Sequence, residues 1–128
     1  MATVTTIRSD LIAADIGALV SLNAALDVLR EVSTTATAIQ TMALIQVALH
    51  DDDITAKGIS DAIGLTSSGI SAVLATLSKS GPRNLGDGWG VIEYRENPID
   101  RREKFFRLTP KGRALMRQIV NSIRLGRA

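Results

Sequence analysis

The sequence predicts a mainly α-helical single domain, residues 1–128, carrying one small β-hairpin. Three observations lead there. A chain of 128 residues, 45% hydrophobic and 22% charged, has the size and composition of one globular domain. Apolar residues recur at steps of three and four through most of its length, the period of a helix face. All four aromatic residues, Trp89, Tyr94, Phe105 and Phe106, fall in one short stretch, so the rest of the core is aliphatic and alanine-rich, a composition that suits helix packing.

The first element is a long N-terminal helix over about residues 6–32. It contains no proline, and Ile12, Ile16, Leu19, Leu22, Leu26 and Leu29 mark its apolar side. Leu11, Val20 and Val28 spill beyond one stripe, as in a helix covered on more than one side. Ser33, Thr34 and Thr35 offer N-cap hydroxyls for a second helix, Ala36 to His50, with Ile39, Met42, Ala43 and Leu49 turned inward. Asp51, Asp52 and Asp53 end it as a solvated loop. Consecutive carboxylates cannot converge on one ion, and the alternating calcium-loop pattern is missing.

Residues 55–81 hold two short helices joined by a tight turn. Thr55 caps Ala56 to Ile63, Gly64 ends that helix in the left-handed conformation, and Thr66 caps a third helix reaching about Ser80. On this last helix Ile70, Val73, Leu74 and Leu77 share a face. Ser68, Ser71, Ala72, Ala75 and Lys79 occupy the opposite one. So little bulk outside lets a helix backbone come close to a DNA major groove, with serine hydroxyls in reach of bases or phosphates. Pro82 to Gly90, with three glycines and a proline, reads as a loop, and Trp89 between Gly88 and Gly90 is expected to pack against the domain. Two β-compatible runs within residues 90–109 flank a polar stretch, giving a hairpin with a basic tip. Thr109 and Pro110 start a C-terminal helix over residues 110–125, with Leu115, Met116, Ile119, Val120 and Ile123 on its apolar side.

Charge is divided unevenly. Residues 1–80 carry four basic and eight acidic side chains, a net −4, while residues 81–128 carry eleven and five, a net +6. Such clustering points to a polyanionic partner surface in the C-terminal third. There is no cysteine and a single histidine, His50, so disulfides, thiolate or multi-histidine metal sites and thiol catalysis are excluded. Serines and carboxylates abound, but no base–nucleophile pair and no phosphate loop is visible, so neither an enzyme nor a cofactor is expected. No apolar run approaches the ~18–20 residues of a membrane span, and no signal core follows the N-terminus, which makes no membrane and a cytoplasmic location the expectation.

The order helix, helix, helix-turn-helix, hairpin, helix resembles the winged-helix repressors of the MarR family. The resemblance runs through about residues 55–117. Ile59, Ala62, Ile63, Gly64, Leu65, Ser68, Ile70, Ser71, Leu74, Leu77 and Gly81 match helix-turn-helix positions. Arg95, Pro98, Asp100, Arg101 and Arg102, then Leu108, Thr109, Lys111 and Gly112, look like the family's wing and the start of its next helix.

The resemblance implies a winged helix-turn-helix domain with N- and C-terminal dimerisation helices, binding double-stranded DNA as a homodimer and repressing transcription from a two-fold operator. Thr66 to Lys79 would be the recognition helix, with Thr66, Ser67, Ser68, Ser71, Ala72, Ala75 and Lys79 at DNA. The wing would add Arg95, Arg101, Arg102 and Lys104, with Asp100 orienting a neighbouring arginine through a bidentate pair. The dimer interface is expected at Leu19, Leu22 and Leu26 together with Ile119 and Ile123. Two departures from the family stand out: Pro82 to Trp89 is inserted before the wing, and only one long helix fits after Gly112. Family members often bind small aromatic acids, but no residue pattern in this sequence identifies a pocket for such a small-molecule effector. The alternative is a winged-helix protein-interaction module of replication or phage control, without specific DNA binding.

Overall fold

The computed structural model describes residues 13–79 and 87–126. Its elements run α1 (Ala13–Val32), α2 (Ala38–Leu49), α3 (Ala56–Ile63), α4 (Ser67–Leu77), β1 (Ile92–Glu96), β2 (Lys104–Leu108) and α5 (Pro110–Gly126). The mainly α class with one hairpin is thus observed. Residues 6–12 of the expected first helix, the end of the third at Ser80 and most of the Pro82 to Trp89 insertion lie outside the described residues.

α1 packs chiefly on α5. The residues that α1 buries are Ser21, Ala25 and Leu29, while Leu19, Leu22 and Leu26 face outward. Small side chains let the helices come close enough for the Ser21 hydroxyl to sit 3.1 Å from the Ile123 carbonyl and 2.9 Å from that of Gly17. Leu19, Leu22 and Leu26 consequently stay exposed, as do Val120 and Ile123 on α5, while Ile119 is partly buried against the core.

α2 begins later than expected and buries Ala43 as expected, but not the larger residues assigned beside it. Its N-cap is Thr37, which forms a capping box with Gln40: Gln40 N–H donates to Thr37 Oγ1 (3.1 Å) and Thr37 N–H to Gln40 Oε1 (2.9 Å). None of Ser33, Thr34 and Thr35 has a Glu or Gln three residues on, so none can satisfy both donors. Ala43, Leu44 and Val47 are buried, whereas Ile39, Met42 and Leu49 are exposed. The segment is apolar nearly all round, so its period leaves the inward face open and tertiary contact selects it.

The helix-turn-helix follows the sequence closely. Thr55 accepts from Gly58 N–H (3.1 Å) and Thr66 from Gly69 N–H (3.2 Å). Gly64 takes φ 75°, ψ 41°, a conformation that favours glycine, and the two helix axes meet at 109°. α4 stops at Leu77 because the returning chain takes over its free carbonyls. Trp89 N–H donates to Thr76 O, Val91 N–H to Leu77 O and Gly90 N–H to Ser78 O (2.9, 3.0 and 3.3 Å). Trp89 itself is buried in the core, so its ring packs against the domain as expected.

β1 and β2 pair antiparallel with Ile92 opposite Leu108 and Glu96 opposite Lys104. Each outer edge is covered by one further residue, Ile54 beside Phe106 and Ser78 beside Ile92. The core beneath, including Leu44, Val47, Ile59, Leu77, Val91 and Ile92, joins α2, α3 and α4 to this sheet.

The aspartate triplet is not the solvated loop that its composition suggests. Asp52, at φ 67°, donates its N–H to Phe106 O (2.9 Å), and its carboxylate meets Arg95 Nε at 2.8 Å. Asp51 accepts from Leu108 N–H at 2.9 Å and pairs with Arg113 at 2.7 Å. The loop therefore anchors β2 and α5 to the end of α2.

α5 starts as expected, with Gly112 N–H donating to Thr109 Oγ1 (3.0 Å) while the Thr109 hydroxyl donates to Gly90 O (2.7 Å).

Candidate nucleic-acid interface

The surface of interest lies where α4, the first turn of α3 and the hairpin meet. α4 buries Ile70, Leu74 and Leu77 and leaves Ser67, Ser68, Ser71 and Ala72 exposed, with Ala75 half-buried. Thr66 is committed to capping, and its hydroxyl also lies 3.3 Å from that of Ser68. The hydroxyls of Ser67 and Ser71 make no hydrogen bond among the described residues, which leaves them available to an incoming acceptor or donor. Lys79 stands exposed just past the helix end.

An open cleft of about 810 Å³ separates α4 from the hairpin. It brings together Ser71 and Ala75 from α4 and Asp100, Arg102 and Lys104 from the wing. Thr66, Ser67, Ser68 and Ala72 lie outside its lining, on the remainder of the exposed helix surface.

Lys57 and Tyr94 are among the lining residues absent from the expected set. Lys57, in the first turn of α3, is held 3.1 Å from Asp61 one turn on. Tyr94 carries the Lys104 ammonium 4.4 Å above its ring and makes a tilted ring contact with Phe106, with centroids 6.0 Å apart. Strand alternation from Ile92 places Tyr94 opposite Phe106, so the signal was present in the sequence. Lys57 had only its place after the Thr55 cap.

The wing tip is a turn closed by its own groups. Asn97 N–H donates to Glu103 O and its Nδ2 to Glu103 Oε1, both at 2.9 Å. Asp100 does hold an arginine, but not as a bidentate pair. Its Oδ1 alone accepts from both the backbone N–H of Arg102 (3.0 Å) and Arg102 Nε (3.3 Å). Two residues apart in a turn, the carboxylate meets the backbone donor first and cannot also lie parallel to the guanidinium fork. Arg101 is exposed and makes no ion pair among the described residues. Arg95 points away from the tip, bonded to Asp52 and stacked 4.7 Å from the Phe105 ring centroid. Its charge is thus paired with Asp52 at a part-exposed position away from the wing tip.

Among the described residues no group of three or more His, Asp or Glu side chains converges as a metal site. No single helix there is long and apolar enough to cross a membrane.

Two helices at this angle, the second with its outer face open, and a hairpin beside them define a winged helix-turn-helix fold. It is the fold of the MarR-type regulators. A MarR family transcription regulator, SP03579, superimposes with a TM-score of 0.60 over 96% of this chain and 73% of its own length, at 22% identity. The transcriptional regulator Tm0710 from Thermotoga maritima gives a TM-score of 0.64 over 84% of this chain and 66% of its own, at 18% identity. A mutant of S. aureus MepR bound to an oligodeoxyribonucleotide gives 0.61 over 79% and 66%, at 22% identity. The chain spans 59% of the length of MarR and 57% of that of PcaV from Streptomyces coelicolor, whose structure holds its natural ligand. No protein-family model and no curated protein matches the sequence.

Proposed function

We propose that this chain is a sequence-specific DNA-binding transcriptional regulator that acts as a homodimer on a two-fold operator and represses by occlusion. The observation that carries the reading is the cleft in which Ser71 and Ala75, on the uncharged outer face of α4, stand opposite Arg102 and Lys104 of the wing. A duplex fits that division of labour: small side chains enter the major groove, and arginines reach phosphate or the adjacent minor groove. The solved MepR mutant, of the same fold, is bound to an oligodeoxyribonucleotide.

The test is selection of bound duplexes from a random-sequence pool by the full chain. The reading expects one enriched palindromic site, bound with an affinity that falls as salt rises. A pool that stays random, with no salt-sensitive mobility shift, would overturn it. One observation favours the second reading, a protein-interaction module: Ser67–Leu77 contains no charged residue at all. Under that reading the cleft binds a polypeptide, and the same mobility-shift series shows no shift at any salt concentration.

A further inference from the structure

The side chain of Ile99 is 95% exposed, the most exposed large apolar side chain among the described residues. It stands at the outermost turn of the hairpin, between Pro98 and Asp100. A lone exposed apolar residue ordinarily needs no explanation, but its surroundings set this one apart. Its backbone N–H donates to Asn97 Oδ1 (2.9 Å), Asn97 is itself bonded twice to Glu103, and Glu103 N–H returns to Asp100 O (3.0 Å). The tip is therefore a preorganised turn that holds Ile99 outward, and a β-branched side chain has little rotamer freedom left to lose on burial. Arg101 and Arg102 follow directly. The nearest carboxylate, Asp100, already accepts two hydrogen bonds from Arg102, which lessens its repulsion of phosphate.

A stiff apolar side chain projecting from a turn in which Arg101 makes no ion pair among the described residues and Arg102 is almost fully exposed has the chemistry of a minor-groove wedge. Such side chains push between base pairs and partly unstack them, while neighbouring arginines sit in the narrow, electronegative groove. We propose that Ile99 is an apolar wedge that enters the DNA minor groove beside Arg101, opens a flexible pyrimidine–purine step and bends the duplex. The proposal rests on the DNA-binding reading above and adds a residue and a deformation to it. It also implies that operators carry such a step at the wing position, where no base edge need be read by hydrogen bonds.

The experiment uses the full chain and a duplex that it enriches from random DNA, with 2-aminopurine replacing adenine at successive positions under the wing. Wild-type protein should raise the probe's fluorescence at one step per half-site, through unstacking. Ile99→Ser should abolish that rise and weaken binding about tenfold, with the salt slope unchanged because every cation facing a phosphate is still in place. Ile99→Leu should retain the signal. Arg101→Ala should weaken binding and lower the magnitude of the salt slope. Equal melting temperatures for the Ser variant and wild type, expected at so exposed a position, tie the weaker binding to DNA. An Ile99→Ser protein with wild-type affinity and wild-type fluorescence overturns the wedge while leaving the DNA-binding reading intact. A wild-type protein with no salt-sensitive DNA binding overturns both.

Discussion

Arg113 Nη1 lies 2.7 Å from Asp51 Oδ2, while the other oxygen of the same carboxylate accepts the backbone N–H of Leu108. One side chain thus fixes where β2 ends and where α5 begins, and with them the wing's position relative to α4. The two bonds differ in worth. Arg113 is about half exposed and can return to water, whereas the Leu108 N–H is partly buried and would be left without this acceptor. Asp51→Asn, which keeps an acceptor, should cost less than about 1 kcal/mol in chemical denaturation. Asp51→Ala should cost about 1–3 kcal/mol. Equal destabilisation in the two variants would show that the ion pair, rather than the backbone bond, is the tie.

Gly112 marks the next constraint along the same junction. A β-carbon there would collide with the carbonyl oxygen of Val91, which already accepts the N–H of Thr109. Backbone cannot step aside as a flexible side chain can. Gly112→Ala should therefore destabilise by about 1–3 kcal/mol or more and lower the melting temperature by roughly 5 °C or more. Gly69→Ala, whose β-carbon would approach the Thr66 hydroxyl at 3.3 Å, should cost less, and a thermal melt of both variants checks the order.

These two junctions show what the sequence could and could not disclose. Thr55, Gly64 and Thr66 are local signals whose meaning lies within four residues, and the helix-turn-helix was legible from them. Gly112 was visible as part of a motif, but its partner Val91 lies across the hairpin. On α2 Ala43 was legible, but Met42 could not be told apart from Leu44 and Val47, because the helix is apolar on nearly every side and tertiary contact selects the buried face. On α1 the burial of Ser21 and Ala25 was not visible, because small side chains carry little hydrophobic signal. The direction of Arg95 was likewise invisible, because Asp52 reaches it from 43 residues away.

The leucines passed over where α1 meets α5 motivate a prediction about assembly. Leu19, Leu22 and Leu26 are 54%, 54% and 50% exposed, in line on α1, and Ile123 is exposed on the helix it packs against. Leu22→Asp should leave the fold of a single chain intact, since half of the side chain already faces water, yet convert a dimer to a monomer in sedimentation velocity. Leu29→Asp, at a position only 4% exposed, should instead unfold the chain. Monomeric wild-type protein at micromolar concentration would remove the basis for the homodimer.

The wing and α4 should separate in their salt dependence, because the wing carries the exposed guanidinium groups of Arg101 and Arg102 while Ser67–Leu77 carries no charge. Arg101 makes no ion pair among the described residues, and the Arg102 side chain is 93% exposed despite its bond to Asp100. Replacing both with Ala should weaken binding to selected and unrelated duplexes alike, since interactions with phosphate and the minor groove carry little base information. For each phosphate left without its cation, the magnitude of the slope of log K against log salt should fall by about 0.9. Ser71→Ala removes a hydroxyl from the middle of α4 and no charge. It should leave the slope unchanged while altering which sequences are preferred, because the major groove presents a distinct donor and acceptor pattern for each base pair. Fluorescence anisotropy titrations at four or more salt concentrations, on one selected and one scrambled duplex, measure both quantities. If the double arginine variant keeps wild-type affinity and slope, the wing does not touch DNA, and the polypeptide-binding reading of the cleft becomes the better account of Lys104, Tyr94 and Ser71 facing one another across it.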